Sequence, residues 1–245
     1  MSIAVDVRDL VKIYPNGVKG VDGATFSVYD GEIFGLIGPN GAGKTTTLRI
    51  IATILQPTRG TVIVGGYDVV READKVRRII SYLPEEAGGY KYLTGREFLE
   101  FIARLYSSRE SEVVSMVDEG IRLSGLGDRI NDKIKSYSKG MLRRLLVAKT
   151  LMVKPKIAIL DEPTAGLDVV NAVHVRNAIR SYAKEKGVTV LMSSHNMLEV
   201  EYLCDRVAII HNGKIMEIGS PRELKEKYSA ENLEEVFIKL VGERI

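Results

Sequence analysis

The stretch Glu32-Ile-Phe-Gly-Leu-Ile-Gly-Pro-Asn-Gly-Ala-Gly-Lys-Thr45 decides the fold of this 245-residue chain. Its first half is apolar almost throughout and reads as a strand covered on both faces. Its second half, Gly38 to Thr45, matches G-x-x-x-x-G-K-[ST] and feeds "TTTLRIIATIL", spaced as a helix stopping near Pro57. A strand, a glycine-rich turn and a helix in that order make a phosphate cradle. Glycines let backbone N–H groups face an anion with no Cβ in the way, and the helix start adds its positive end. Candidate phosphate-binding residues are therefore Gly38, Pro39, Asn40, Gly41, Ala42, Gly43, Lys44, Thr45 and Thr46. Lys44 supplies a point charge at the β- and γ-phosphates, and the Thr45 hydroxyl suits Mg²⁺.

Working outward, "IAVDVRDLVKIY", "ATFSVYD" and "GTVIVGGYDV" are short strand-like runs broken by Gly and Asn-Gly. From Leu93 to Val153 the pattern turns helical. Thr94 is placed to cap "GREFLEFIARLYS", and Gly125 and Gly127 to end the next helix. Strands then alternate with helices: "KIAILDEP", "NAVHVRNAIRSYAKEKG", "VTVLMSSH" and "NMLEVEYLCD". A hairpin turned by Asn212-Gly213 and a charged helical tail follow. This β–α alternation predicts an α/β fold, with a largely parallel sheet and helices on both faces.

Composition narrows less. The chain is 45% hydrophobic and 27% charged, with 35 basic and 32 acidic residues. A net charge of +3 argues for no particular partner and does not predict nucleic-acid binding. The single cysteine, Cys204, allows no intrachain disulfide and reads as a buried thiol. No signal peptide and no long apolar span is seen, so a soluble chain is expected. His174 and His211 lack any motif context and read as surface residues.

Two further stretches carry chemistry. "IAILDEP" ends a strand in Asp161, able to hold Mg²⁺, and Glu162, able to accept a proton from an attacking water. "SYSKGM" places Ser138 at a helix start beside Gly140, a second anion-holding turn.

In order, the glycine loop, "SYLPEE", "YSKGM", "LDEPTAGLD" and "LMSSH" resemble the motifs of ATP-binding cassette (ABC) ATPases over nearly the whole chain. The resemblance implies a P-loop NTPase core with a mostly parallel sheet, an antiparallel β-subdomain and an α-helical subdomain insertion. It implies one ATPase domain over 1–220, with core 1–92 and 154–220, helical part 93–153 and a tail over 221–245. By position, His195 contacts the γ-phosphate and Tyr14 stacks on adenine. The signature turn Ser138, Lys139, Gly140 and Met141 reaches the ATP held by another chain. Asp168 reaches across the same interface. The bland alternatives are a strand-end cap for His195, a packed hairpin residue for Tyr14 and a helix cap for Asp168.

Two motifs depart from the common family form. Glu85 replaces the usual Gln, and so adds a carboxylate near the Mg²⁺ site. Lys139 and Met141 replace Gly and Gln in the signature. These forms, with "PEE", "AGLD" and "LEEVFIKL", resemble a branch that energises exporters. A head-to-tail dimer with a second copy or a related ATPase chain is implied. Integral membrane permease subunits are implied as well, docking near Glu85, Tyr90, Tyr92 and Leu93. The chain is then expected to be cytoplasmic, peripheral on the inner face of the cell membrane. The rival readings are a soluble ABC ATPase acting on ribosomes or DNA, and a regulatory module with little turnover.

Overall fold

The computed structural model describes residues 2–242. Met1 and the last three residues of the expected tail, 243–245, lie outside them. β1 (Ile3–Ile13) pairs antiparallel with β2 (Lys19–Tyr29) and with β4 (Arg59–Val64). β4 turns through Gly65-Gly66 into β5 (Tyr67–Asp68), giving the sheet order β2-β1-β4-β5. The second sheet contains β3 (Ile33–Ile37), β6 (Ile80–Leu83), β7 (Ile157–Asp161), β8 (Thr189–Ser194), β9 (Arg206–His211) and β10 (Lys214–Gly219). Its order is β10-β9-β3-β8-β7-β6, parallel except for β10.

Every residue of β3, β7 and β8 is buried. That explains their unbroken apolar runs, since both faces are covered. Phe34, Leu36, Ile159, Leu191 and Ile210 face one core, while Ile37, Leu160, Met192 and Ile209 face the other. The first core is closed by the antiparallel sheet, by α1 (Lys44–Ile51) and by α2 (Ala73–Arg77). Phe26 of β2 stacks on Phe34 of β3 with ring centroids 5.6 Å apart, joining the two sheets. Helices therefore do not cover this face alone, as expected from the alternation; a second sheet shares it.

The other core holds α3 (Gly95–Tyr106), α4 (Glu110–Ser124), α5 (Lys139–Met152), α6 (Val169–Lys186) and α7 (Met197–Leu203). Thr94 closes a reciprocal capping box with Glu97 at the start of α3, and Gly125 ends α4 at φ 56°. The Asn212-Gly213 turn has positive φ at both residues, the conformation a tight hairpin needs. The tail folds back as α8 (Pro221–Tyr228) and α9 (Leu233–Gly242), burying Leu224, Leu233 and Val236.

Three expectations need correction. α1 stops at Ile51, short of Pro57, because Ile54 N and Leu55 N both return to Arg49 O around left-handed Thr53. His174 is half-buried, its Nε2 3.0 Å from Leu123 O, and it ties α6 to the end of α4. His211 is also half-buried, edge-on to Phe237 of α9 with ring centroids 5.8 Å apart. Cys204 is buried, as expected.

Candidate active site

Strand order assembles the site. β3, β8 and β7 are neighbours, with Ile37 beside Ser194 and Ser193 beside Asp161. Their carboxyl ends thus deliver the glycine loop, Ser193-Ser194-His195 and Asp161-Glu162 side by side, where open α/β sheets bind ligands. Gly41 and Gly43 adopt φ 79° and 108°, which a side chain would strain. A Cβ on Gly43 would run into the Gly20 carbonyl, whereas Gly41 has nothing within 4 Å in front of it. The loop is packed on one side and open on the other.

Lys44 is 5% exposed. Its Nζ donates to Gly38 O at 2.7 Å and Pro39 O at 3.2 Å, and lies 3.3 Å from Glu162 Oε1. Asp161 is fully buried. Its Oδ1 accepts from Thr45 Oγ1 at 3.1 Å and from Ser193 Oγ at 2.6 Å, and its Oδ2 accepts from Tyr82 O–H at 3.4 Å. Burial, with the Asp161 charge beside it, pushes the Tyr82 phenol up to about 12, so it remains a neutral donor. Ser193 Oγ also accepts from Glu162 N at 2.9 Å. Glu162 has φ 48°, left-handed for a residue with a side chain, which orients it differently from a simple strand extension. His195 Nδ1 lies 2.8 Å from Glu162 Oε2, and the His195 side chain is half exposed.

A cleft of about 440 Å³ is lined by Tyr14, the glycine loop, Thr46, Glu85 and Glu162. Tyr14 O–H and Thr46 Oγ1 are 2.9 Å apart, which anchors the ring beside the loop. Glu85 is exposed on the rim. The residues suit a triphosphate: the open face of Gly41, the inward ammonium of Lys44 and the leading N–H groups of α1 converge there. Buried Glu162 Oε1 has no hydrogen-bond partner. It faces the Lys44 ammonium at 3.3 Å outside hydrogen-bond geometry, which leaves the oxygen's accepting capacity for a water. Among the described residues no group of three or more His, Cys, Asp or Glu forms a metal cage. Mg²⁺ takes one or two protein ligands and completes its shell from phosphate and water, and Thr45 Oγ1 and Asp161 Oδ1, 3.1 Å apart, are oxygens that could hold it.

The second anion turn lies elsewhere. None of Ser138, Lys139, Gly140 and Met141 lines the cleft. Ser138 is exposed and caps α5, accepting from Met141 N at 3.2 Å. Gly140 is pressed against the Asn171 side chain, and Lys139 Nζ lies over Gly166. Asp168 caps α6, accepting from Asn171 N at 2.9 Å and from Asn171 Nδ2 at 2.6 Å.

The family profile described as ABC transporter matches residues 21–165, from β2 through the glycine loop to Asp161 and Glu162. This chain belongs to the ABC transporter family. An uncharacterized ABC transporter ATP-binding protein of Bacillus subtilis, YhcH, is 38% identical over 226 residues, covering 91% of this chain and 72% of that protein. The daunorubicin/doxorubicin resistance ATP-binding protein DrrA of Streptomyces peucetius is 40% identical over 222 residues, covering 91% and 67%. A solved ATP-binding subunit of an ABC transporter superposes with a TM-score of 0.85 at 29% identity, covering 97% of this chain and 99% of that one. The ABC chain is an ATP-binding, ATP-hydrolysing transporter subunit, and the fold is that of the P-loop ATPases.

Three residues of this ABC ATPase escaped the sequence reading. Ser193 and Tyr82 hold Asp161. Arg143 donates to the main chain around Asp161 and Glu162. Only Arg143 left a signal: a charge at helical spacing from buried Gly140 and Val147.

Proposed function

We propose that the chain powers export, closing as a head-to-tail pair around two ATP molecules and driving separate permease subunits. The observation that carries the pairing is that Ser138 and Gly140 lie off the cleft lined by Lys44 and Glu162. A two-fold pair presents each patch to the other chain's cleft, so both sites are completed at once. Lys44 and the glycine loop bind the phosphates, and Tyr14 stacks on the base. Glu162 accepts the proton of the attacking water, and His195, bonded to Glu162, orients the water toward the γ-phosphate. Thr45, Asp161 and Glu85 would hold Mg²⁺, whose charge offsets that of the phosphates. Loss of phosphate weakens the contact across the pair and lets it open. Resemblance to a drug-resistance ATP-binding protein supports the outward direction.

The division into core (1–92 and 154–220), helical part (93–153) and tail (221–245) belongs to the same reading. So does permease docking on the inner face of the membrane. No helix among the described residues is long and apolar enough to cross a membrane. The outer face of α3 and the loop before it expose Tyr90, Tyr92, Phe101 and Leu105, with Tyr92 81% exposed. Tyr90 packs edge-on against both Phe98 and Phe101. Such an apolar patch on a water-exposed face is suited to a partner helix. The test is purification of the tagged chain from detergent-solubilised membranes. A polytopic membrane protein should come with it, and Tyr92→Asp with Leu105→Asp should release that protein while ATP hydrolysis by the freed chain persists. Recovery with ribosomes instead would favour the non-transport reading.

A further inference from the structure

Arg143 stands on the buried face of α5 and is 7% exposed. A guanidinium has five N–H donors in a rigid fork. Here each meets a main-chain carbonyl. Nε donates to Pro163 O at 2.9 Å. Nη1 donates to Pro84 O at 3.1 Å and Glu85 O at 2.9 Å. Nη2 donates to Asp161 O at 2.8 Å and Glu162 O at 2.6 Å. No carboxylate among the described residues lies within ion-pair distance of it. Burial works against its charge, and the more distant carboxylates of Asp161, Glu85 and Glu162 work for it.

An apolar side chain could fill this space without the cost of burying a cation. The fork does something an apolar group cannot: it fixes the relative position of two loops. One loop carries Glu85, the other carries Asp161 and Glu162. The Glu162 backbone is left-handed and needs support from its surroundings to stay so. The same helix begins at the Ser138 turn.

We infer that Arg143 is a positioning residue for hydrolysis, holding the main chain beneath Glu162 in register with the Glu85 loop. Its fork keeps Glu162 Oε2 on His195 and Oε1 toward the cleft. Because the contacts are to carbonyls, the role does not depend on which side chains those loops carry. The inference rests on Glu162 being the base.

The test compares Arg143→Gln with the wild-type full chain. Arg143→Gln should lower kcat about 10- to 100-fold, the effect of misplacing a catalytic group by about 1 Å. KM for MgATP and equilibrium nucleotide affinity should change by less than about three-fold, because the glycine loop is untouched. A kcat within about two-fold of wild type would overturn the inference. So would a fall in kcat matched by an equal loss of affinity, which marks general damage. If Arg143→Gln does not fold, Arg143→Lys decides, since it keeps the charge and loses the fork. Its kcat should be at least about three-fold lower with affinity intact, and a wild-type kcat would overturn the inference. Should Glu162→Gln retain wild-type turnover, the assignment of the base fails instead, whatever Arg143 does.

Discussion

Lys44 Nζ and Glu162 Oε1 are 3.3 Å apart, with side chains 6% and 5% exposed. A buried ion pair is poor evidence for stability, because desolvation offsets most of the attraction. Its presence at the strand ends is better explained by use. One ammonium faces both the glycine-loop carbonyls and the base. The proposed binding charge, Lys44, and the proposed proton acceptor, Glu162, are therefore held in one contact chain, which continues through Glu162 Oε2 to His195.

Glu162→Gln keeps the shape and removes the base. Turnover should fall by about 10²- to 10⁴-fold, while ATP affinity is retained. With ATP present, the variant should elute as a stable dimer on a sizing column. Normal turnover would show that Glu162 is not the base.

Mixing Lys44→Ala chains with Ser138→Arg chains tests whether a site is shared. Each variant alone should be nearly inactive. Equal mixing leaves one intact site in each mixed pair, so about a quarter of wild-type activity should return. Full activity of either variant alone would exclude the shared site.

Ser193 is fully buried and serves both carboxylate residues, donating to Asp161 Oδ1 and accepting from Glu162 N. Ser193→Ala leaves that N–H and one carboxylate oxygen short of a partner. Unfolding stability should drop by about 1–3 kcal/mol, read from urea midpoints. A variant as stable as wild type would mean that water replaces the hydroxyl.

Burial pushes the Glu199 carboxyl up, opposed by its hydrogen bond to Thr164 and by Arg176 at 3.7 Å. A carboxyl held protonated more tightly in the folded chain adds stability at low pH. That contribution is lost as pH rises through the folded value. Relative to a neutral amide at this position, the wild type therefore loses stability as pH rises through that value. Glu199→Gln should raise Tm at neutral pH, on the order of 2 °C, with the gain vanishing near about pH 4. A gain that stays constant with pH would rule out titration of Glu199 as its cause.

Much of this was legible along the chain. The glycine loop, the Thr94 and Ser138 caps, the Asn212-Gly213 turn and the apolar strands are local patterns. Each follows from the conformation or burial that a few neighbouring residues require. The bonds of His174 and the shorter α1 were not legible, and the antiparallel sheet was expected from the family resemblance alone, not from the local strand pattern. They depend on what lies across the molecule.

The sequence by itself determined where a glycine-rich turn joins a strand to a helix and which acids end a buried strand, because backbone freedom and side-chain chemistry are local. Only the tertiary structure decided that Asp161, Ser193 and the glycine loop meet, since strand order sets that and no short stretch encodes it. It also decided that Arg143 divides its fork between the main chain at Pro84-Glu85 and that around Glu162, and that the Ser138 turn lies off this chain's own cleft. Both depend on how a helix packs against a sheet edge, and so on contacts between residues distant in the chain.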